Sequence, residues 1–321
     1  MKFFFFTAVF LLLSVQQSFS KDSITDIKDG IMPFFLEFDN NIEENKLTTK
    51  QKRRLVFYSG AAAYAGSLTG LYFLWYKDYP QTSFHFYDDN KSWKQMDKLG
   101  HATASYYMGI LGHKTLLWAE IDERKALWYG GFAGSLYLSV IEILDGFSAE
   151  WGFSWGDFAA NLAGSALYVS QKALWDDNYF NLKYSFWPSQ YAEYRPDIFG
   201  DNIPQNFLKD YNAISFWLSV SPQLFLRGNN NLPPWLDLSI GYSADGILGA
   251  YSNPSTLNGK PLPEFERHRQ FFLSLDINLK KIPIENKYFN AIAHMFSFLK
   301  IPMPAFEFHS GNGLRFHPIY F

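Results

Sequence analysis

The chain has no cysteine. No disulfide, zinc thiolate or thiol nucleophile can therefore be invoked, and no cysteine of this sequence can carry a lipid. A strong net charge is also missing: 28 Lys and Arg against 31 Asp and Glu give −3. That leaves no electrostatic case for nucleic acid as a partner. Internal repeats and low-complexity tracts are absent beyond the extreme N-terminus. Aromatic residues, in contrast, are abundant at 20% of 321 residues. Amphipathic rings concentrate at membrane interfaces, although an aromatic-rich soluble core fits the same composition.

Met1 to Ser20 reads as a secretory signal peptide: Lys2 supplies the positive start, Phe3 to Leu13 the apolar run, and Ser18-Phe19-Ser20 the small-x-small cleavage site. The run falls short of the roughly 20 residues that a membrane span needs. An exported chain at the outer membrane or in the periplasm is expected. Residues 21–51 read as a polar N-terminal extension, with one short extended apolar patch at Phe34 to Phe38.

Residues 52–178 carry the helical pattern. Leu55 to Tyr76 contains no charge and places Gly66 and Gly70 four apart, a spacing that lets helix backbones approach. Ser92 and Gln95 have capping-box spacing, which predicts a helix from there to about Ala119. A third helix is expected from Asp122-Glu123 to about Leu144, and a fourth from Ser154 to about Trp175. Short links make these an antiparallel bundle of about four apolar helices.

From Tyr179 the period changes to two. Apolar residues alternate with polar ones over Ile214 to Leu226, Leu236 to Ser243 and Phe271 to Leu279, with further extended pieces at Ala305 to His309 and Leu314 to Phe321. About five good candidate strands fall short of the eight that a closed single-chain barrel needs. Phe34 to Phe38, Ser83 to Tyr87 and Tyr179 to Phe186 are the weaker additions. The fold expected is α+β: a helical bundle over 52–178, then a strand-rich antiparallel part over 179–321, as a partial barrel or sheet.

Ionisable residues interrupt the apolar helices at Asp97, Lys98, His101, Glu142, Asp145 and Asp157, with Ser154 and Asn161 beside them. Burying such groups is costly unless they pair or bind something. Asp97, His101 and Ser105 share a helix face. Lys98, turned about 100° away from Asp97, is expected to pair with Glu142 or Asp145. Three chemistries fit these residues. His101 and nearby carboxylates could hold a divalent cation. His101 could act as a general base with Asp97, Glu142 or Asp157 in a lipid- or cell-wall-acting hydrolase or transferase. Or the groups lock helix register as buried pairs. In the binding reading, Lys98, Asp145, Ser154 and Asn161 line a pocket for a lipid headgroup or ion, and the expected partner is membrane lipid or an envelope component.

The blocks D-K-L-G-H at Asp97 to His101, E-I-L-D-G-F-S at Glu142 to Ser148 and W-G-F-S-W-G-D-F-A-A-N-L-A-G at Trp151 to Gly164 resemble the YfiM-like predicted periplasmic lipoproteins. More distantly they resemble the VanZ-like membrane proteins, which share an Asp-Lys-x-x-His helix and a later Asp-x-x-x-Asn helix. The resemblance spans about Leu55 to Trp175, roughly a third of the chain. It implies an envelope protein without an assigned reaction. Two departures stand out: no cysteine is present for a lipid anchor, and the strand-rich part is extra.

Overall fold

A computed structural model describes residues 47–77, 79–226 and 232–321. The expected signal peptide, and most of the N-terminal extension with its Phe34 to Phe38 patch, lie outside the described residues. Among the described residues the first helix, α1 (Thr49–Leu71), opens with a reciprocal capping box between Thr48 and Gln51 and loosens into a π-turn over Tyr72–Tyr76. Then follow α2 (Met96–Trp118), α3 (Glu123–Asp145, with a π-turn at Ala126–Gly130) and α4 (Trp155–Trp175). The caps of α3 and α4 are those expected: Asp122 accepts from Lys125 N, and Ser154 from Asp157 N.

Glycines hold α2, α3 and α4 together. A Cβ on Gly109 would lie 2.4 Å from the Gly131 carbonyl oxygen, one on Gly134 2.5 Å from that of Ser105, and one on Gly164 2.0 Å from that of Ala102. Only hydrogen fits there, so the backbones touch. The small-residue face of α1 is different. A Cβ on Gly60 or Gly66 would meet nothing within 4 Å. α1 buries only Ser67 and Leu71, near its C-terminal end; at its N-terminal end Lys52 and Arg53 bond Glu120 at 2.6 Å, and most of its apolar surface stays exposed.

The start of α2 differs from expectation. Ser92–Gln95 is a 3-10 turn, and Trp93, Lys94 and Gln95 all have positive φ (46°, 53° and 66°). Gln95 caps α2 with its backbone, without a side-chain bond. The left-handed conformation costs an L-residue roughly 1–2 kcal/mol, so the surroundings must impose it. Trp93 N donates to the Ala250 carbonyl at 2.7 Å, and the Tyr242 hydroxyl donates to that of Lys94. The Arg269 guanidinium donates to the Gln95 side-chain oxygen. Capping-box spacing at Ser92 was present, but long-range bonds override it.

The C-terminal part is a six-stranded antiparallel meander in chain order: β1 (Phe180–Phe186), β2 (Ile214–Val220), β3 (Leu236–Asp245), β4 (His268–Ile277), β5 (Met303–His309) and β6 (Gly313–Tyr320). Tyr179 to Phe186, a weak candidate by sequence, supplies β1. Ser83 to Tyr87 forms no strand, only an isolated bridge from Phe86 to Phe153. A short helix, α5 (Lys287–Met295), leads towards β5. The sheet does not close into a barrel, but it curls. Lys183 on β1 reaches Asp276 on β4 at 2.5 Å, although a flat sheet would hold strands three steps apart at roughly 14 Å. Ser215 on β2 meets Tyr320 on β6 at 3.1 Å, and the Trp187 and Phe321 rings at the seam stand 4.6 Å apart.

Register explains what the curl encloses. One cross-strand row reads Leu182, Leu218, Ile240, Leu273, Phe306, Phe316, and the next reads Tyr184, Phe216, Tyr242, Phe271, Phe308, Leu314. Both lie on the convex side. The row between them reads Lys183, Trp217, Gly241, Phe272, Glu307, Arg315, and another reads Asn181, Ser219, Ser239, Ser274, Ala305. These face inward and, Arg315 apart, are largely buried with Asp237, Asp276 and His309. The concave side is therefore buried and mixes polar groups with the rings of Trp217, Phe272 and Tyr320, and the convex side is apolar. Over β1 and β2 the convex side packs on the helices, where Tyr106, Tyr107, Tyr168 and Val169 join Tyr184, Ile214 and Phe216 in the main core. Over β3 to β6 it is bare: Leu238, Ile240, Phe271, Leu273, Leu275, Phe306, Phe308, Leu314 and Phe316 are exposed.

Candidate functional site

The charged residues of α2, α3 and α4 converge. Asp97 and His101 sit one turn apart on α2, Glu142 in the last turn of α3, and Asp157 and Asn161 one turn apart on α4. His101, Glu142, Asp157 and Asn161 are all buried, Asn161 at 0% and Glu142 at 1% exposure. Asp97 stands at the rim, 23% exposed at its side chain. One ligand atom each from Asp97, His101 and Asp157 lies within 4.8 Å of the other two.

His101 is held from behind. Its Nδ1 is 3.0 Å from Asn161 Oδ1, an acceptor, so Nδ1 carries the proton and Nε2 points forward. Nε2 stands 3.9 Å from Asp97 Oδ2 and 3.8 Å from Glu142 Oε1. Glu142 accepts from Ser154 N through Oε2 at 3.4 Å, while its Oε1 makes no hydrogen bond. The Tyr211 hydroxyl donates to Asp97 Oδ1 at 2.6 Å, and burial together with Asp97 raises the Tyr211 phenol well above its usual range. Tyr211 stays protonated as a donor.

Lys98 departs from expectation. It pairs with Asp89 at 2.9 Å and Asp157 at 3.1 Å, not with Glu142 or Asp145. The helix rotation of about 100° per residue carries it to the α4 side. Gly156 makes room for it, because a Cβ there would lie 2.6 Å from Lys98 Cε. Burial lowers the Lys98 ammonium, but Asp157 and Asp89 outweigh it and the net direction is up. Asp89 goes down: burial raises it, and Asp157, Lys98 and Ser154 together overcome that. Burial, opposed by His101 and reinforced by Asp97 and Asp89, pushes Asp157 up to about 7.

Two other expected members have separate duties. Asp145 accepts from the Tyr76 hydroxyl at 2.5 Å, which ties α3 to the turn after α1. Ser154 donates to Asp89 Oδ1 at 2.5 Å while capping α4. Ser105, one turn beyond His101, is fully buried and donates to the Asn161 carbonyl at 2.6 Å; Ser135 does the same at 2.7 Å and Ser165 lies 2.8 Å from Ser105. That serine knot fixes the α4 backbone under Asn161, and thus the amide that orients His101.

Residues 85–172 match the model of a family described as predicted periplasmic lipoproteins (DUF2279), a family of unknown function. The match covers the stretch that builds the charged cluster and supports an exported, periplasm-facing chain. No curated protein and no solved structure matches the chain.

Proposed function

We propose that this chain is an envelope protein seated at the outer membrane, with lipid acyl chains against its convex sheet face and a charged pocket in its helical bundle that takes a lipid headgroup or an ion. The observation that carries the membrane half is the inverted polarity of the sheet. In a water-soluble sheet the apolar rows go inward; here they go outward and the serines, aspartates and Lys183 go inward. That is the arrangement of lipid-facing strands. β3 and β4 are each 10 residues long, within the roughly 9–11 of a tilted strand that crosses a hydrocarbon core. A second protein would need one apolar patch. Exposed apolar residues also occur away from the sheet, at Phe57, Tyr58 and Phe73 near α1 and at Trp128, Tyr129 and Leu136 on α3. Among the described residues one helix, Glu123–Asp145, is long and apolar enough to cross a membrane by length and composition. The distant likeness to VanZ-like membrane proteins at Asp97, Lys98, His101, Asp157 and Asn161 belongs to the same reading.

The test is flotation. The mature chain, produced without detergent, is mixed with phosphatidylethanolamine/phosphatidylglycerol vesicles and spun through a density gradient. Co-flotation that resists carbonate at high pH is expected. A monodisperse protein that stays at the bottom of the gradient would reject the reading.

A further inference from the structure

The pocket half of the proposal can be taken further, to the chemistry of its ligand. We infer that Asp97, His101, Glu142 and Asp157 form a binding site for a divalent transition-metal ion, with one imidazole nitrogen and carboxylate oxygens as donors. With Nδ1 committed to Asn161, the Nε2 edge of His101 faces two carboxylates, 3.9 and 3.8 Å away. Two carboxylates and a ring nitrogen facing one point call for positive charge between them, which a metal ion supplies. The separations exceed hydrogen-bonding reach and leave space for an ion with its donors around it. Glu142 is the independent sign of a ligand. It is 1% exposed, and its Oε1, aimed at His101, has no hydrogen-bond partner. Burying such an oxygen is expensive, and a cation would satisfy it.

The charge balance points the same way. The cluster holds four carboxylates, Asp89, Asp97, Glu142 and Asp157, and its one lysine, Lys98, is shared between Asp89 and Asp157. Lys98 thus fixes Asp157 from the side of Asp89, and Glu142 Oε1 keeps no hydrogen-bond partner. Mixed imidazole and carboxylate donors suit zinc, manganese or iron, whereas an all-oxygen set would suit calcium or magnesium. The Asn161 amide behind His101 fixes the ring tautomer, as hydrogen-bonded groups behind metal-ligating histidines do. Asp97, 23% exposed at its side chain, is the cluster member most accessible to solvent.

The experiment uses the full mature chain in detergent micelles, stripped with EDTA and titrated with Mn2+ alone, read by electron paramagnetic resonance. One bound Mn2+ per chain is expected. Glu142→Gln and Asp97→Asn should each weaken binding at least tenfold. Asn161→Ala, a positioning change, should weaken it about 10–100-fold. Asp97→Asn is the variant least exposed to misfolding, because the amide oxygen can still accept from Tyr211; near-UV circular dichroism checks that each variant is folded. Asp176→Asn, at the exposed pair with Lys172, should bind as the parent does. Absence of stoichiometric Mn2+ binding by the folded parent would overturn the inference, as would equal binding by folded Glu142→Gln and Asp97→Asn. Nitrogen-15 NMR showing a protonated Nε2 on His101 that added Mn2+ leaves unchanged would overturn it too. Vesicle flotation is scored separately, so failure at the metal leaves the membrane reading intact and the reverse also holds.

Discussion

Replacing Ile240 by Lys separates a lipid-facing sheet from a water-facing one. Ile240 lies mid-strand on β3, between Leu218 and Leu273 in the row that crosses all six strands, and is 56% exposed. On the surface of a soluble protein such a change moves stability by no more than about 0.5 kcal/mol. Against hydrocarbon, a lysine near the midplane costs about 2–4 kcal/mol, falling towards zero at the interfaces. The two expectations differ by more than about 1.4 kcal/mol, a factor of ten in the folding equilibrium. Ile240→Thr retains the β-branch and serves as the reference for strand propensity. The assay is urea unfolding in phosphatidylcholine vesicles followed by tryptophan fluorescence. A midpoint shift for Ile240→Lys well beyond that of Ile240→Thr is expected. An unchanged midpoint, or a better yield of water-soluble protein, would refute the lipid-facing reading.

Inside the curl, Lys183→Met should cost about 3–5 kcal/mol, because it strands Asp276, whose pairing at 2.5 Å is almost wholly buried; the double change Lys183→Met with Asp276→Leu should recover much of it in the same urea assay. In the bundle, Gly164→Ala should destabilise by about 1–3 kcal/mol or more, since the new methyl meets the Ala102 carbonyl at 2.0 Å, whereas Gly60→Ala, with open space around it, should gain up to about 1 kcal/mol of helix propensity. Thermal scans of the two variants side by side will show opposite signs. His113, 2.6 Å from the Tyr168 hydroxyl, has its imidazole lowered by burial and then by Lys172. A depressed histidine leaves the folded state with fewer bound protons than the unfolded one, so stability is full above the ordinary value of about 6.5 and declines as pH falls below it. His113→Gln should flatten the thermal midpoint between about pH 7 and pH 5; an unaltered slope would count against it.

The strands β2, β3 and β4 were legible because alternation survives whichever face is buried. That same alternation is silent on direction: Ile240 and Ser239 exchange sides without changing the pattern, and only the curl says which is inside. The helical cluster was legible because Asp97 and His101, or Asp157 and Asn161, share a face by spacing alone. Asp89 and Tyr211 were not. Asp89 sits in a connection with no periodicity, and Tyr211 lies 114 residues from Asp97, a distance no local pattern spans. The partner of Lys98 was misassigned because rotation around the helix separates it from Asp97, and only Gly156 reveals the path it takes. Ser92 has the spacing of a helix start, but bonds from Tyr242 and Arg269 hold Trp93 to Gln95 in a conformation their own residue types disfavour.

That left-handed turn has a mechanical consequence. Its carbonyls and side chains are moored to the β3–β4 wall, and one residue, Met96, separates the mooring from Asp97. Asp97 also grips Tyr211, just ahead of β2. Displacement of that wall would therefore reach the rim of the charged cluster through a linkage only one residue long.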